Sequence, residues 1–273
     1  METRQLEHVV YEKDGPIARI ILDNAEMANA QTSEMVHSVD TCLDDAQYDY
    51  DIKVVIFKAN GKGFCSGHKP DGSYPEFGEE LEASGKVWRS AAQLFLWPVL
   101  KLWEFPKPVI AQVHGYCIGG GTTWGLLPEI TIASDDAYFQ MPLVPGFGLP
   151  GAETAFEPWV FMNYKRAAEY LYTAQRLSAE EALEFGLINR VVPRDQLESE
   201  VEALAAKIAK APLITLTATK SGILRACETM GFRVHQQATN DLQAVVTGSK
   251  EFQEHARQMW AQSMKPAERA DDE

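Results

Sequence analysis

Pro106-Lys107-Pro108-Val109-Ile110-Ala111-Gln112-Val113-His114-Gly115-Tyr116-Cys117-Ile118-Gly119-Gly120-Gly121 is the stretch on which the fold turns. Its middle, Val109 to Val113, is a short apolar run bounded by prolines and a glycine, and it reads as a buried strand. Its end is a triple glycine at what reads as a helix start, where backbone N–H groups stay uncovered and a ligand can approach the main chain closely. The same glycines would equally serve tight packing of a helix on a strand, so they do not fix a function alone. A second loop of this kind precedes it. Ile52-Lys53-Val54-Val55-Ile56-Phe57 reads as a buried strand and runs into Asn60-Gly61-Lys62-Gly63-Phe64-Cys65-Ser66-Gly67-His68.

Working outward, Val9-Val10-Tyr11 and Ile17-Ala18-Arg19-Ile20-Ile21-Leu22 flank Lys13-Asp14-Gly15-Pro16, which predicts a β-hairpin. Thr32 is placed to cap a helix whose Val36, Val39, Leu43 and Ala46 form one apolar stripe, with Asp40, Asp44, Asp45, Asp49 and Asp51 on its other side and exit. Ile130-Thr131-Ile132-Ala133-Ser134 predicts a third buried strand. Between the second strand and Pro108 lies an acidic, irregular stretch from Pro70 that reads as exposed and leading into a helix. Ser178-Ala179-Glu180-Glu181 is a capping-box pattern, Gly186 a helix stop, and Leu187 to Val192 an extended segment. Leu197, Val201, Leu204 and Ile208 have helical spacing, and everything after Pro212 reads as helical, with a frayed tail from Lys265. Strands alternating with helices argue a layered α/β core over residues 1–195, followed by a helical region over 196–273.

Composition narrows the function. The 273 residues carry 25 Lys and Arg against 39 Asp and Glu, a formal charge of −14, with no basic run. That balance argues against a nucleic-acid partner, while leaving open an anionic small molecule held by backbone donors and a few lysines. No apolar stretch approaches the length of a membrane span, and Cys42, Cys65, Cys117 and Cys227 are too scattered for a zinc site or a C-x-x-C pair. These features predict a cytoplasmic protein with free thiols and no metal.

The two glycine loops in this order, Phe64-Cys65-Ser66-Gly67-His68 and then Pro106 to Gly121, resemble those of the enoyl-CoA hydratase/isomerase (crotonase) superfamily. Further matches are Asn29-Ala30, Ala133-Ser134-Asp135-Asp136-Ala137, Pro150-Gly151 and Arg176-Leu177-Ser178-Ala179-Glu180-Glu181-Ala182 with Gly186 to Val192, so that the resemblance runs from about residue 5 to about residue 260. It implies an α/β, crotonase-like spiral of ββα repeats with an α-helical C-terminal trimerisation region, assembled as a homotrimer or a dimer of trimers. It also implies an acyl-CoA thioester as substrate, with coenzyme A entering as part of the substrate and no separate cofactor. The thioester oxygen would lie between the backbone N–H groups of His68 and Gly120. Substrate-binding positions would be Ser66, Gly67, His68, Lys69, Pro70 and Asp71 on the first loop, Gly119, Gly120 and Gly121 on the second, and Leu143 and Gly151 beyond it. Lys69 and Lys265 are candidates for the CoA phosphates, with ordinary surface lysines as the alternative.

The chain departs from this family where the acids should be. Hydration needs one carboxylate to activate water and another to deliver a proton. The first position carries Thr123, the second, after Phe139-Gln140-Met141-Pro142, carries Leu143, and a third used by some relatives carries Gly151. A threonine hydroxyl cannot serve as a carboxylate base near neutral pH, so the two-glutamate mechanism is not available. Glu153 is a substitute acid, or else a complement to a helix N-terminus. His68 is a candidate proton carrier, or a ring bonded to a loop carbonyl, and Tyr74, Glu76 and Glu79 are further candidates on the acidic stretch. His114 reads as structural, and Trp88, Phe95, Leu96, Trp97 and Trp103 as core or apolar lining. Three functions compete: an oxyanion-hole enzyme performing decarboxylation, hydrolysis or isomerisation, a non-catalytic acyl-CoA-binding protein, and a conventional hydratase of weak activity in which Thr123 and a carboxylate hold the water.

Overall fold

A computed structural model of the chain describes residues 1–69, 88, 92–150 and 163–263. The expected hairpin is present: β2 (Val9–Asp14) and β3 (Ile17–Leu22) pair antiparallel from Val9 with Leu22 to Asp14 with Ile17. A strand that the sequence reading omits, β1 (Glu2–Leu6), extends it at the edge. Its residues are mostly exposed and show no apolar alternation, so it is held by main-chain pairing with β2 rather than by burial. On the other side, β3 continues in parallel through β4 (Val54–Ala59), β5 (Val109–Val113), β7 (Ile130–Ser134) and β10 (Arg190–Val192). β5 is buried at every position and β4 nearly so, which is why both read as unbroken apolar runs.

Helix α1 (Ser33–Tyr48) begins at Thr32, whose hydroxyl accepts the Met35 N–H at 3.2 Å. Met35, Val36, Val39, Cys42, Leu43 and Ala46 turn inward. The acids opposite are not simply solvated: Asp45 receives the Tyr11 hydroxyl at 3.0 Å and Lys13 Nζ at 3.1 Å, and Asp49 receives Lys13 at 2.9 Å.

A second, three-stranded sheet holds β6 (Tyr116–Ile118), β8 (Tyr138–Gln140) and β9 (Leu177–Ser178), with β6 and β8 parallel and β8 and β9 antiparallel. Each strand has three residues or fewer, too few to show a period, so β6 reads as loop in the sequence. The capping box forms as expected, with Ser178 and Glu181 bonding each other's backbone N–H ahead of helix 179–184, and Gly186 takes a φ of 79° just beyond it.

The helical region begins with a helix that belongs to the sheet. Helix 197–208 buries Leu197, Val201 and Ala205 against Ile17, Val54, Ile56, Ile110 and Ile132. Helices 213–229, 232–247 and 250–263 complete the chain. The four cysteines are free thiols, and among the described residues no helix is long and apolar enough to cross a membrane.

Candidate functional site

The ends of β4 and β5 bring the two glycine loops together. Cys65 bridges to Cys117 and Gln31 to His68 in short parallel pairs, and Ile118 N–H donates to the Cys65 carbonyl at 2.9 Å. Gly67 has a φ of 89°, and a Cβ there would stand 2.7 Å from the Ile118 oxygen and 3.1 Å from the Gly120 nitrogen. Both neighbours are backbone and cannot give way, so only glycine lets the loops close at this point.

Two backbone donors meet at this seam. Gln31 N–H donates to the Gly67 carbonyl at 2.8 Å and Lys69 N–H to the Gln31 carbonyl at 3.0 Å, which turns the N–H of the intervening His68 to the opposite side of the strand. Gly120 opens helix 120–126, where the first N–H groups have no intrahelical acceptor, and its N–H bonds nothing among the described residues. A Cβ on Gly120 would lie 2.3 Å from Gln31 Oε1 and 2.7 Å from the His68 ring, so a side chain there would displace the two residues that pack beside the donor. Gln31 Nε2 donates to the Gly120 carbonyl at 3.1 Å and is buried. The family-like Asn29-Ala30 ends one residue before Gln31, and no local pattern marks this glutamine, whose role comes from a contact across the fold.

Gln31 and His68, which flank the seam, carry no charge. The His68 ring packs edge-on against Phe95, with centroids 4.4 Å apart, and its burial presses the imidazole pKa down to about 3. The ring is therefore neutral at physiological pH. In the unfolded chain the pKa is ~6.5, so the unfolded state takes up a proton below that pH and the folded state does not. The stability contributed by keeping His68 neutral is complete above pH ~6.5 and is lost as the pH falls toward 3. In histidine-labelled protein, the His68 Cε1 resonance is expected to hold its neutral position from pH ~8 to ~5; a midpoint near 6.5 would contradict the burial argument. Burial raises the Cys65 thiol to about 12, which removes it as a nucleophile.

Thr123 is buried on helix 120–126, and Leu143, half-buried, opens a π-helical turn after β8 with its carbonyl accepting Leu149 N–H at 3.1 Å. The Gly119 N–H bonds the Gln140 carbonyl at 2.8 Å, tying the triple glycine to the strand that leads to Leu143. A Cβ on Gly121 would stand 2.5 Å from the Cys65 carbonyl, so Gly121 packs loop on loop. Ser66 N–H bonds Ala28, and Lys69 is partly exposed beside Gln31. Pro70, Asp71, Tyr74, Glu76, Glu79, Gly151, Glu153 and Lys265 lie outside the described residues. His114 makes the structural bond expected of it, Nε2 to the Gly61 carbonyl at 3.1 Å. Of the aromatics and Leu96 assigned to core or lining, Trp103 and Leu96 are buried, but Trp88 and Trp97 are each 49% exposed. Trp88 reaches outward to Asp241 through its indole N–H, and Trp97 lines an open groove between α1 and helix 97–104.

Comparisons with known proteins identify the family and the fold. The model of the family described as enoyl-CoA hydratase/isomerase matches residues 12–267. A Mycobacterium bovis protein described as "Probable enoyl-CoA hydratase echA12" is 32% identical over 81% of this chain and 78% of its own length. The crystal structure of a probable enoyl-CoA hydratase from Mycobacterium smegmatis superposes with a TM-score of 0.81 at 34% identity, covering 88% of this chain and 94% of that one. An enoyl-CoA hydratase/isomerase from Xanthobacter autotrophicus Py2 has a TM-score of 0.81 at 28% identity, covering 96% of this chain and all of that one. On the family match over most of its length, joined to the paired glycine loops, the chain belongs to the enoyl-CoA hydratase/isomerase family.

Proposed function

We propose that this chain is an acyl-CoA-transforming enzyme that polarises its thioester between the backbone N–H groups of His68 and Gly120, without the two glutamates of a hydratase. The observation that carries the reading is the seam at Gly67, where the loops lie so close that an added Cβ would stand 3.1 Å from the other loop's donor nitrogen. Donors fixed in advance at a developing oxyanion lower a barrier by about 3–4 kcal/mol each. That stabilisation serves any reaction passing through an enolate or a tetrahedral oxyanion. Hydration additionally needs paired acids, and the positions concerned hold Thr123, Leu143 and Gly151. Decarboxylation, thioester or C–C hydrolysis, or isomerisation with a displaced acid therefore fits better. A neutral His68 contributes its N–H and an apolar wall, and Glu153, ahead of Tyr74, Glu76 and Glu79, is our candidate proton carrier. Lys69 and, from the C-terminal region, Lys265 are the bases assigned to the CoA phosphates; residues 1–195 carry the oxyanion donors, and residues 196–273 chiefly serve assembly.

The missing acids also support a second reading, an acyl-CoA-binding protein without turnover. Incubation with malonyl-, β-ketoacyl- and enoyl-CoA esters separates the two. The expected result is saturable product formation from a malonyl- or β-ketoacyl-CoA, with crotonyl-CoA hydrated far more slowly and Glu153→Gln retaining binding but losing turnover. Binding of every ester with no product would favour the second reading, and fast crotonyl-CoA hydration would return the chain to the conventional hydratases. Exposed Ile214, Ile223, Met230, Val234, Leu242 and Val245 on helices 213–229 and 232–247 support a homotrimer or a dimer of trimers, which the mass in solution tests.

A further inference from the structure

Helix 232–247 is amphipathic in the wrong direction. Gln236, Thr239, Asn240 and Gln243, spaced to share one face, are all buried, whereas Val234, Leu242 and Val245 are exposed. The exposed valines and leucine fit the homotrimer or dimer of trimers proposed above; the buried amides are not explained by it. Gln236 and Asn240 are each 1% exposed, and neither Gln236 Oε1, Gln236 Nε2 nor Asn240 Oδ1 has a hydrogen-bond partner among the described residues. Native structures pair nearly all such atoms, and one left unpaired costs about 1–3 kcal/mol. Three on two adjacent turns of one helix face are too many for a packing fault.

The position of this face gives it a use. It continues from Phe232, whose ring lies 4.0 Å from that of Trp103, and runs along the segment 92–104. The turn Ala92–Leu96 packs against this helix and carries Phe95, the ring that touches His68. The amides are therefore carried by the helix that packs against the segment whose Phe95 touches His68.

We propose that Gln236 and Asn240 recognise a hydroxyl group on the acyl chain of the substrate, a reading that rests on the acyl-CoA function proposed above. A hydroxyl can donate to one of the two orphaned carbonyl oxygens while accepting from the orphaned amide nitrogen of Gln236, pairing two of the three atoms at once. A carboxylate only accepts and would leave both oxygens unmatched. The one cation at the head of the helix, Arg233, is already paired with Glu104 and Glu228. An unsubstituted chain would leave all three atoms unpaired, and a site built to bond a hydroxyl discriminates strongly against the analogue that lacks it.

The test is calorimetric binding to full-length protein of straight-chain acyl-CoA thioesters of about four to ten carbons, each with and without a terminal hydroxyl. In at least one pair the hydroxylated member is expected to bind about 10- to 100-fold more tightly. Gln236→Met and Asn240→Leu, close in volume, are expected to reduce that ratio to below about threefold while leaving affinity for the plain chain unchanged or improved. Their melting temperatures should be no lower than that of the parent, because each removes an orphaned polar atom. Equal affinity within every pair overturns this inference but leaves the acyl-CoA reading intact, whereas no binding of any thioester overturns that reading as well. Variants that melt at lower temperature yet keep the hydroxyl preference assign the amides to the scaffold and also overturn the inference.

Discussion

Gly67→Ala is expected to reduce turnover by about 10²- to 10³-fold, the loss that follows removal of one oxyanion donor. The argument is steric. At a φ of 89° the new Cβ would meet the Ile118 carbonyl oxygen at 2.7 Å and the Gly120 nitrogen at 3.1 Å, and neither is the end of a flexible side chain. The loops must separate, and the two donors on either side of the seam separate with them. Holding alanine in this backbone region adds about 1–3 kcal/mol of strain, so a lower melting temperature should accompany the kinetic loss. Steady-state kinetics on the best ester, with a thermal melt of the same preparation, read both effects. An alanine variant with parental kcat/KM would show that the seam is packing rather than machinery.

Lys220→Met is expected to cost about 3–5 kcal/mol of folding stability, an effect on assembly of the fold rather than on chemistry. Lys220 is 3% exposed; its Nζ lies 2.6 Å from Glu129 Oε1 and donates to the Lys107 carbonyl at 3.0 Å. Glu129 Oε2 in turn accepts the N–H of Val109, the first residue of β5. Lys107 is buried as well and donates to the Ala46 and Asp49 carbonyls at the end of α1. One ammonium thus fastens helix 213–229 to the strand that feeds the triple glycine. Burial pulls the Lys220 pKa below its ordinary value while Glu129 opposes the shift, so the charge is held there chiefly by its partner. Removing the lysine leaves the Glu129 carboxylate largely buried without its cation. Replacing both residues, Lys220→Met with Glu129→Gln, should recover most of the loss because the amide can still accept from Val109. Urea unfolding measures the difference, and a single variant losing less than about 1 kcal/mol would contradict the staple.

What the sequence discloses is what neighbouring residues determine. The hairpin around Gly15-Pro16, the Thr32 cap, the Ser178 capping box and the buried runs at β5 and β7 are all local patterns, and each stands where the pattern puts it. β1 was illegible because its exposed residues are held only by main-chain pairing, and β6 and β8 because three residues carry no period. At the site, the glycine loops were legible through their resemblance to a family, but Gln31 and the neutrality of His68 arise from contacts across the fold. The buried amides of helix 232–247 illustrate the limit most clearly. Polar residues at helical spacing look like a solvent face until the packing shows that the face is turned inward.

Polarisation of a thioester between His68 and Gly120 can be read directly from the carbonyl itself. Isotope-edited infrared difference spectra of a bound acyl-CoA, labelled with carbon-13 at its thioester carbonyl, report the strength of the hydrogen bonds at that oxygen. With the parental protein the C=O stretch is expected to move to lower frequency on binding, and with Gly67→Ala the shift should largely disappear. A thioester that binds the parental protein with its carbonyl frequency unchanged from that in water would contradict the oxyanion hole.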